Sequence, residues 1–171
     1  LPWKMQSPLI EIDAEQDFIS DRGDEVWNVL EQRGITQVIL VGVHTNMCVL
    51  GRPFGLRQMV RHGKRVVLVR DLTDCMYNPA RWPHVDHFTG NDLIVRHVER
   101  HVCPTIASDQ ILGGSPVVSK YDTRTSRELP ELPARSPTED WAVVQVPHQL
   151  TDSQAPGPGQ GPAWYRCVVR L

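Results

Sequence analysis

Residues 35–43, ITQVILVGV, decide the fold class of this 171-residue chain. The run is almost continuously apolar and rich in β-branched side chains, which is the pattern of a parallel strand covered on both faces. Residues 21–34, just before it, place apolar side chains at helical spacing, and Gly34 can end that helix. This stretch therefore predicts a helix that leads directly into a buried strand.

The same alternation continues downstream. Further elements are predicted as follows: a helix over 48–62, a strand over 66–69, a loop over 74–83, a helix over 85–102 and an edge strand over 105–112. Alternating helices and strands joined by right-handed crossovers leave few topologies other than a largely parallel sheet. We therefore expect an α/β fold, a three-layer αβα arrangement with a mostly parallel, Rossmann-like sheet. Ligands of such sheets collect at the carboxyl ends of the strands, and residues 44–48 lie at one of these ends.

Charge and hydropathy exclude several kinds of partner. The chain carries 18 basic and 20 acidic side chains, a net charge of −2, so no overall field draws it to nucleic acid or to an anionic membrane. Its longest apolar runs are far shorter than the roughly 20 residues of a membrane-spanning helix. We expect a small-molecule substrate and neither nucleic acid nor membrane as a partner, while a homo-oligomer is left open.

The cysteines bear on the cellular compartment, and the first residue bears on whether the fold is complete. Cys48, Cys75, Cys103 and Cys167 form no CxxC pair, so reduced thiols and a reducing compartment such as the cytoplasm are favoured. The chain begins at Leu1 with no signal-peptide pattern. We expect the fold to be incomplete at its amino terminus.

Composition divides the chain into three parts. Residues 1–112 are predicted to form the α/β domain, 113–137 a linker rich in polar residues and proline, and 138–171 a further fragment. In that last part Trp141 and Trp164-Tyr165-Arg166 resemble elements of the galactose-binding-like jelly roll found beside many glycoside hydrolases. The resemblance implies the beginning of a β-sandwich domain.

The chemically informative stretch is Gly42-Val43-His44-Thr45-Asn46-Met47-Cys48-Val49, which predicts a strand end, a tight turn and a cysteine in the first turn of a helix. The unpaired N–H groups and positive dipole of a helix amino terminus favour thiolate over thiol, lowering a cysteine pKa from about 8.5. Cys48 is therefore the candidate nucleophile. The alternative is that it serves as a small buried apolar residue.

That run resembles the nucleophile motif of the isochorismatase-like cysteine hydrolases, a superfamily that includes nicotinamidases and N-carbamoylsarcosine amidases. The motif is Gly-Val-x-Thr-x-x-Cys-Val, and every position is matched here. The resemblance covers about residues 4–112 and is closest to a group of bacterial members with runs like HTNMCVLGRPFG and RDLTDCMYNP. After the cysteine the family usually has Cys-Val-x-x-Thr-Ala, whereas Arg52 and Pro53 follow here, so the resemblance leaves the substrate open.

The resemblance implies a triad in which a cysteine attacks a carbonyl, an aspartate takes its proton and a lysine stabilises the charged pair. Cys48 is the cysteine, and Lys4 is the candidate lysine, unless it is only a solvated side chain at a frayed end. No aspartate in the chain is a credible counterpart, so we expect this chain not to complete the triad. A cis peptide bond is implied at His44–Thr45, with backbone N–H groups there and at Cys48 forming an oxyanion hole.

Asn46, Arg52 and Tyr77 are the candidate substrate-binding residues. Arg52 lies one turn beyond the cysteine and could pair with a substrate carboxylate, although helical arginines more often face solvent. Tyr77, with Asn78 and Trp82, would line the pocket from the loop after the next strand, or would pack there instead.

The histidines predict no metal site. His84 with His87, and His97 with His101, have spacings that could bring two ring nitrogens together. The first pair has no third evident ligand, and the second lies on a predicted helix rich in Arg and Glu, where a solvated face is favoured. No metal and no cofactor is expected.

Three functions remain open. The first is a cysteine hydrolase that cleaves an amide or ureido C–N bond of a small molecule through an acyl-enzyme on Cys48. The second is a non-catalytic α/β module of a carbohydrate-related multidomain protein, in which the cysteine only packs. The third is a vinyl ether hydrolase of the isochorismatase type.

Overall fold

A computed structural model describes residues 5–131. Its helices are α1 Gly23–Gln32, α2 Leu56–Arg61, α3 His87–His101 and α4 Asp109–Leu112, and its strands are β1 Gln37–Val43, β2 Arg65–Asp74 and β3 Thr105–Ile106. The strands form one parallel sheet in the order β1-β2-β3. The α/β class with a parallel sheet is thereby confirmed. None of the helices in this part of the chain has the length and apolarity that crossing a bilayer requires.

The core lies on one side of the sheet. Val38 and Leu40 of β1 pair in register with Val66 and Leu68 of β2, and all four contact the same apolar cluster. Helices α1, α2 and α3 contribute Val26, Leu30, Leu56, Met59 and Val98 to this cluster. The three longer helices therefore pack on the same face of the sheet, toward which β1 turns apolar side chains at alternate positions.

The other face of β1 is open within residues 5–131. Ile39, Val41 and Val43 are 54%, 51% and 62% exposed. The apolar run predicted a strand covered on both faces, but the described helices pack against only one of them. The second helical layer of the expected three is not formed on β1 by this part of the chain.

The predicted second helix, residues 48–62, is wrong as a single element. A π-helical turn, Thr45–Val49, comes first, and α2 begins only at Leu56. Pro53 has no N–H to donate to Val49, and a Cβ on Gly55 would lie 2.6 Å from the Val49 carbonyl oxygen. The chain therefore bends tightly between the two helical segments.

The second strand is longer than the sequence predicts. β2 was expected to end before Arg70, yet it continues to Asp74 after a register shift: Leu40 pairs with Leu68, but Gly42 pairs with Thr73. The extra residues of β2 form a bulge, which re-aims the strand end. The carboxyl end of β2 consequently lies at Thr73–Asp74, beside the end of β1.

The edge strand predicted over 105–112 is also shorter, because α4 replaces its second half. The Ser108 N–H and hydroxyl both donate to Asp71, at 2.8 and 2.5 Å. Burial opposes the ionisation of Asp71, but these hydrogen bonds and one from the Val117 N–H hold the pKa of its carboxyl below the usual value. Asp71 thus ties the chain after β3 back to β2.

The packing unit extends over Leu1–Leu132, past the boundary predicted after residue 112. Residues 113–131, predicted as the start of a linker, fold back instead. Arg124, whose side chain is 15% exposed, donates to Asp92 of α3 and to Asp122, each at 2.8 Å. The Arg124 guanidinium lowers the pKa of Asp122 to about 2. The proposed jelly-roll fragment, 138–171, lies outside the described residues.

Candidate active site

Cys48 lies in the turn Thr45–Val49, which follows the carboxyl end of β1 as the sequence predicts. This turn is called the nucleophile turn, after its candidate nucleophile. The turn closes on His44, whose carbonyl oxygen accepts hydrogen bonds from the N–H groups of Met47 at 3.0 Å and Val49 at 3.1 Å. Cys48 is only partly buried, whereas its neighbour Val49 is 7% exposed and packs in the core. Val49 therefore anchors the turn in the core, while Cys48 beside it stays partly exposed.

A cis peptide bond without proline occurs in this turn, but it joins Val43 to His44. The expected position, His44–Thr45, is wrong by one bond. Val43 is the last residue of β1 and pairs with Asp74 of β2. The cis bond therefore follows the last paired residue of the strand.

Thr45 links the two strand ends through its side chain. It is fully buried, and its hydroxyl oxygen lies 2.5 Å from that of Thr73. Because the Thr73 hydroxyl donates to the Gly42 carbonyl at 2.8 Å, Thr45 is the donor to Thr73. The side chain of Thr45 thus fixes the start of the nucleophile turn against β2.

Asn46 connects the nucleophile turn to the loop after β2. Its carboxamide oxygen accepts from the Met76 N–H at 2.9 Å, and its nitrogen donates to the Met76 carbonyl at 3.1 Å. Asn46 was a candidate substrate-binding residue. The structure instead engages both of its polar side-chain atoms with the backbone of Met76.

Tyr77 holds the loop after β2 against α3. Its hydroxyl donates to the Arg81 carbonyl at 3.0 Å and accepts from the Val85 N–H at 3.2 Å. Its ring lies so close to Gly90 that a Cβ there would be 2.3 Å from Tyr77 Cδ1. These contacts favour a packing role for Tyr77 over a pocket-lining role.

The remaining sequence candidates are Arg52, Trp82 and Lys4. Arg52 is exposed in the bend before α2, and its backbone N–H donates to the Cys48 carbonyl at 3.1 Å. Trp82, in the loop after β2, is 40% exposed. Lys4, the candidate lysine of the triad, lies outside the described residues.

The three described thiols differ in accessibility. Cys75 and Cys103 are 4% and 6% exposed. Burial, with the Asp74 charge as a further cause, raises the pKa of Cys75 to about 11, and burial also raises the pKa of Cys103. Both are therefore poor nucleophiles, which leaves Cys48 as the accessible thiol within residues 5–131.

A group that sequence reasoning missed lies at the end of β2. His87 Nε2 is 2.7 Å from Asp74 Oδ1, and Cys75 completes a set whose ligand-type atoms lie within 4.8 Å of one another. Asp74 and His87 are 13 residues apart in the chain. Only the extension of β2 and the start of α3 bring them together.

The remaining histidines make no such group in the part of the chain that the structure describes. His97 and His101 stack one turn apart on α3, with ring centroids 5.0 Å apart. Burial, followed by the nearby charges of His101 and Arg57, lowers the pKa of His97. His84 does not join His87, whose partner is Asp74.

Comparison with protein-family models shows what the chain is similar to. Residues 12–82 match the family model described as the isochorismatase domain. The match supports the isochorismatase-like superfamily. We call residues 12–82 the isochorismatase-like segment. It contains α1, β1, the nucleophile turn, α2, β2 and the loop that Asn46 contacts. The family match indicates a hydrolase. Comparison with curated proteins found no match, and comparison with solved structures found none either.

Proposed function

We propose that the protein is a cysteine-dependent hydrolase that cleaves an amide or ureido C–N bond of a small molecule through an acyl-enzyme on Cys48. The observation that carries this proposal is the placement of Cys48. It is the accessible thiol of the described chain, it follows the carboxyl end of β1, and it lies within the isochorismatase-like segment. Ligands of parallel sheets bind at that edge.

The proposed reaction has two steps. The Cys48 thiolate attacks the carbonyl carbon, the C–N bond breaks, and the nitrogen takes a proton and leaves as an amine or ammonia. Water then attacks the thioester, which releases a carboxylic or carbamic acid and restores the thiol. Backbone N–H groups of the turn at His44, Thr45 and Cys48 are proposed to stabilise the oxyanion of each tetrahedral intermediate.

The proton transfers need partners beyond the turn. Lys4 is proposed to stabilise the charged pair formed when Cys48 loses its proton. The aspartate that the family resemblance implies as proton acceptor has no assigned counterpart in this sequence. Arg52, exposed one turn beyond the sulfur, is proposed to bind a substrate carboxylate if the substrate carries one.

The family match also favours one alternative, vinyl ether hydrolysis, because the matching model is that of the isochorismatase domain. That reaction needs no acyl group on the sulfur. A mass adduct on Cys48 after rapid quenching with a small amide would therefore support C–N cleavage, whereas enol ether turnover without an adduct would support the alternative.

Alkylation tests the nucleophile directly. The chain is treated with iodoacetamide near neutral pH, and the label at each cysteine is followed by peptide mass spectrometry, both folded and in urea. We expect Cys48 to be labelled faster in the folded chain than in the unfolded one, because a stabilised thiolate reacts faster than an ordinary thiol.

Comparison with the unfolded chain is essential, because Cys75 and Cys103 will be protected by burial whatever the state of Cys48. The matched controls are Cys48→Ser, which removes the fast phase, and Cys103→Ser, which leaves it unchanged. A folded Cys48 that reacts no faster than in urea would remove the nucleophile and favour the non-catalytic module.

A further inference from the structure

Both ring nitrogens of His87 face oxygen atoms at the end of β2. Its Nε2 faces Asp74 Oδ1 at 2.7 Å, and its Nδ1 faces the Tyr77 carbonyl oxygen at 3.4 Å. Both oxygens are acceptors when Asp74 is ionised, yet a neutral imidazole has one N–H to donate. With that N–H on Nε2, the Asp74 contact is an ordinary hydrogen bond; with it on Nδ1, the Nε2 lone pair is directed at the carboxylate, where a second proton or a metal ion would be held between them.

A third candidate ligand favours the metal ion. The Cys75 sulfur belongs to the same cluster, in which the atoms offered by Asp74, Cys75 and His87 lie within 4.8 Å of one another. A bridging proton would need no sulfur nearby, whereas a thiophilic metal ion would use one. Nitrogen, sulfur and carboxylate oxygen together form a donor set typical of Zn²⁺.

We propose that Asp74, Cys75 and His87 form a binding site for a divalent transition-metal ion of the Zn²⁺ class. The proposal is independent of the proposed function, because it involves neither Cys48 nor its substrate. In binding, the metal–sulfur bond forms as the Cys75 S–H bond breaks, and the proton goes to solvent. Three protein ligands leave a fourth position for water.

Distances around such an ion are reachable from the described arrangement. Zinc bonds of about 2.0 Å to nitrogen and oxygen at a tetrahedral angle place those two atoms about 3.3 Å apart. Asp74 Oδ1 and His87 Nε2 would therefore separate by about 0.6 Å. The Asp74 side chain is 56% exposed and can make that movement without disturbing the core.

The orientation of the His87 ring also suits metal binding. Histidine ligands of metals almost always donate their other ring N–H to a carboxylate or a backbone carbonyl, which fixes the ring. Here the Tyr77 carbonyl is placed to accept from Nδ1, leaving Nε2 directed at Asp74. Tyr77 is itself held by Arg81, Val85 and Gly90, so the acceptor has a fixed position.

Cobalt substitution tests the site with a readout independent of activity. The 171-residue chain, freed of metal with a chelator, is titrated with Co²⁺. We expect saturation at one ion per chain and a thiolate-to-cobalt charge-transfer band. Zn²⁺ should displace the Co²⁺, abolish the band and raise the thermal midpoint of unfolding, because it binds the folded state.

Matched variants assign the ligands. Cys75→Ser should abolish the band and weaken binding more than about tenfold, and His87→Gln should weaken it similarly. Cys103→Ser and His84→Gln, which alter a buried thiol and a nearby imidazole outside the cluster, should leave both unchanged. Cys48→Ser should also retain the band, so the metal site and the nucleophile fail or succeed separately.

Two results would overturn the site. One is a charge-transfer band that survives Cys75→Ser. The other is an absence of stoichiometric Co²⁺ or Zn²⁺ binding in the folded wild-type chain, which would assign the His87–Asp74 contact to a bridging proton. Should Cys75→Ser fail to fold, Asp74→Asn tests the same site through an exposed side chain.

Discussion

At the scale of single residues, two buried hydroxyl groups hold the strand ends together beside the nucleophile turn. Thr45 donates to Thr73, and Thr73 donates to the Gly42 carbonyl. Both threonines are buried, at 0% and 8% exposure, so water cannot easily replace a lost partner. Leaving a buried hydroxyl unpaired costs more than the bond itself contributes.

Thr73→Val should therefore destabilise the fold by about 1–3 kcal/mol, because it keeps the shape of the side chain but leaves the Thr45 donor without its acceptor. Urea unfolding measures the change. Thr73→Ser retains the hydroxyl and should lose less. The double variant Thr45→Val with Thr73→Val should recover much of the loss; a double variant as unstable as the sum of the single changes would show that the pair is not coupled.

This pair shows why residue roles were only partly predictable. The sequence located Cys48 in the turn after β1 because its position relative to the strand end is a local property of the chain. Thr45 and Thr73 lie 28 residues apart, and Asn46 finds its partner Met76 at a separation of 30. Such pairs depend on the register of β1 with β2, which includes a shift that no local pattern signals.

At the scale of elements, α3 and the loop after β2 are fitted to each other at Gly90. The Tyr77 ring occupies the space that a side chain at position 90 would need. The loop in turn places the Tyr77 carbonyl against His87. A missing side chain on α3 therefore permits the loop conformation that orients His87.

Gly90→Ala should lower the thermal stability, although replacing glycine with alanine inside a helix usually raises it. Alanine favours a helix over glycine by about 1 kcal/mol, but the overpacking against Tyr77 costs about 1–3 kcal/mol, so the thermal midpoint should fall. In a Tyr77→Ala background the clash is absent, and the same substitution should stabilise. Gly51→Ala, where no atom lies within 4 Å of the new Cβ, is the control that should not destabilise.

A fall in the midpoint of Gly90→Ala that persists unchanged in the Tyr77→Ala background would contradict this account.

The elements themselves were mostly predictable from apolar periodicity. The failure over 48–62 has a local cause, because Pro53 and the close approach of Gly55 to Val49 interrupt a run whose apolar spacing alone suits one helix.

At the scale of the whole molecule, the described sheet has an edge strand, β1, with an exposed apolar face. β1 is at one end of the strand order, and Ile39, Val41 and Val43 project from the face opposite the core. The strand contains no charged residue. Exposed edges of this kind, with unpaired backbone groups and apolar side chains, are sites of pairing between chains.

We expect the 171-residue chain to self-associate as its concentration rises. Val41→Lys should weaken that association by about tenfold or more, since a charge on an edge strand opposes pairing. Sedimentation velocity over a range of concentrations measures it. Val60→Lys places the same charge on α2, at a residue 39% exposed, and should leave the association unchanged. A wild-type chain that stays monomeric throughout would contradict the expectation.

The α/β class was predictable because it follows from the alternation of long apolar strands with amphipathic helices. The extent of the unit was not, because residues 113–131 are polar and carry no periodicity. They join the unit through single contacts, such as Arg124 with Asp92 and Val117 with Asp71. Such contacts depend on where distant carboxylates lie in space.

The Asn46 carboxamide also constrains how the protein could change over evolutionary time. Because one side chain bonds both backbone groups of Met76, the two loops are joined at fixed separation. An insertion into the second loop, the usual route by which α/β enzymes acquire new specificities, would pull on the segment that carries the sulfur. New substrates would therefore be reached more readily by exchanging side chains than by lengthening this loop.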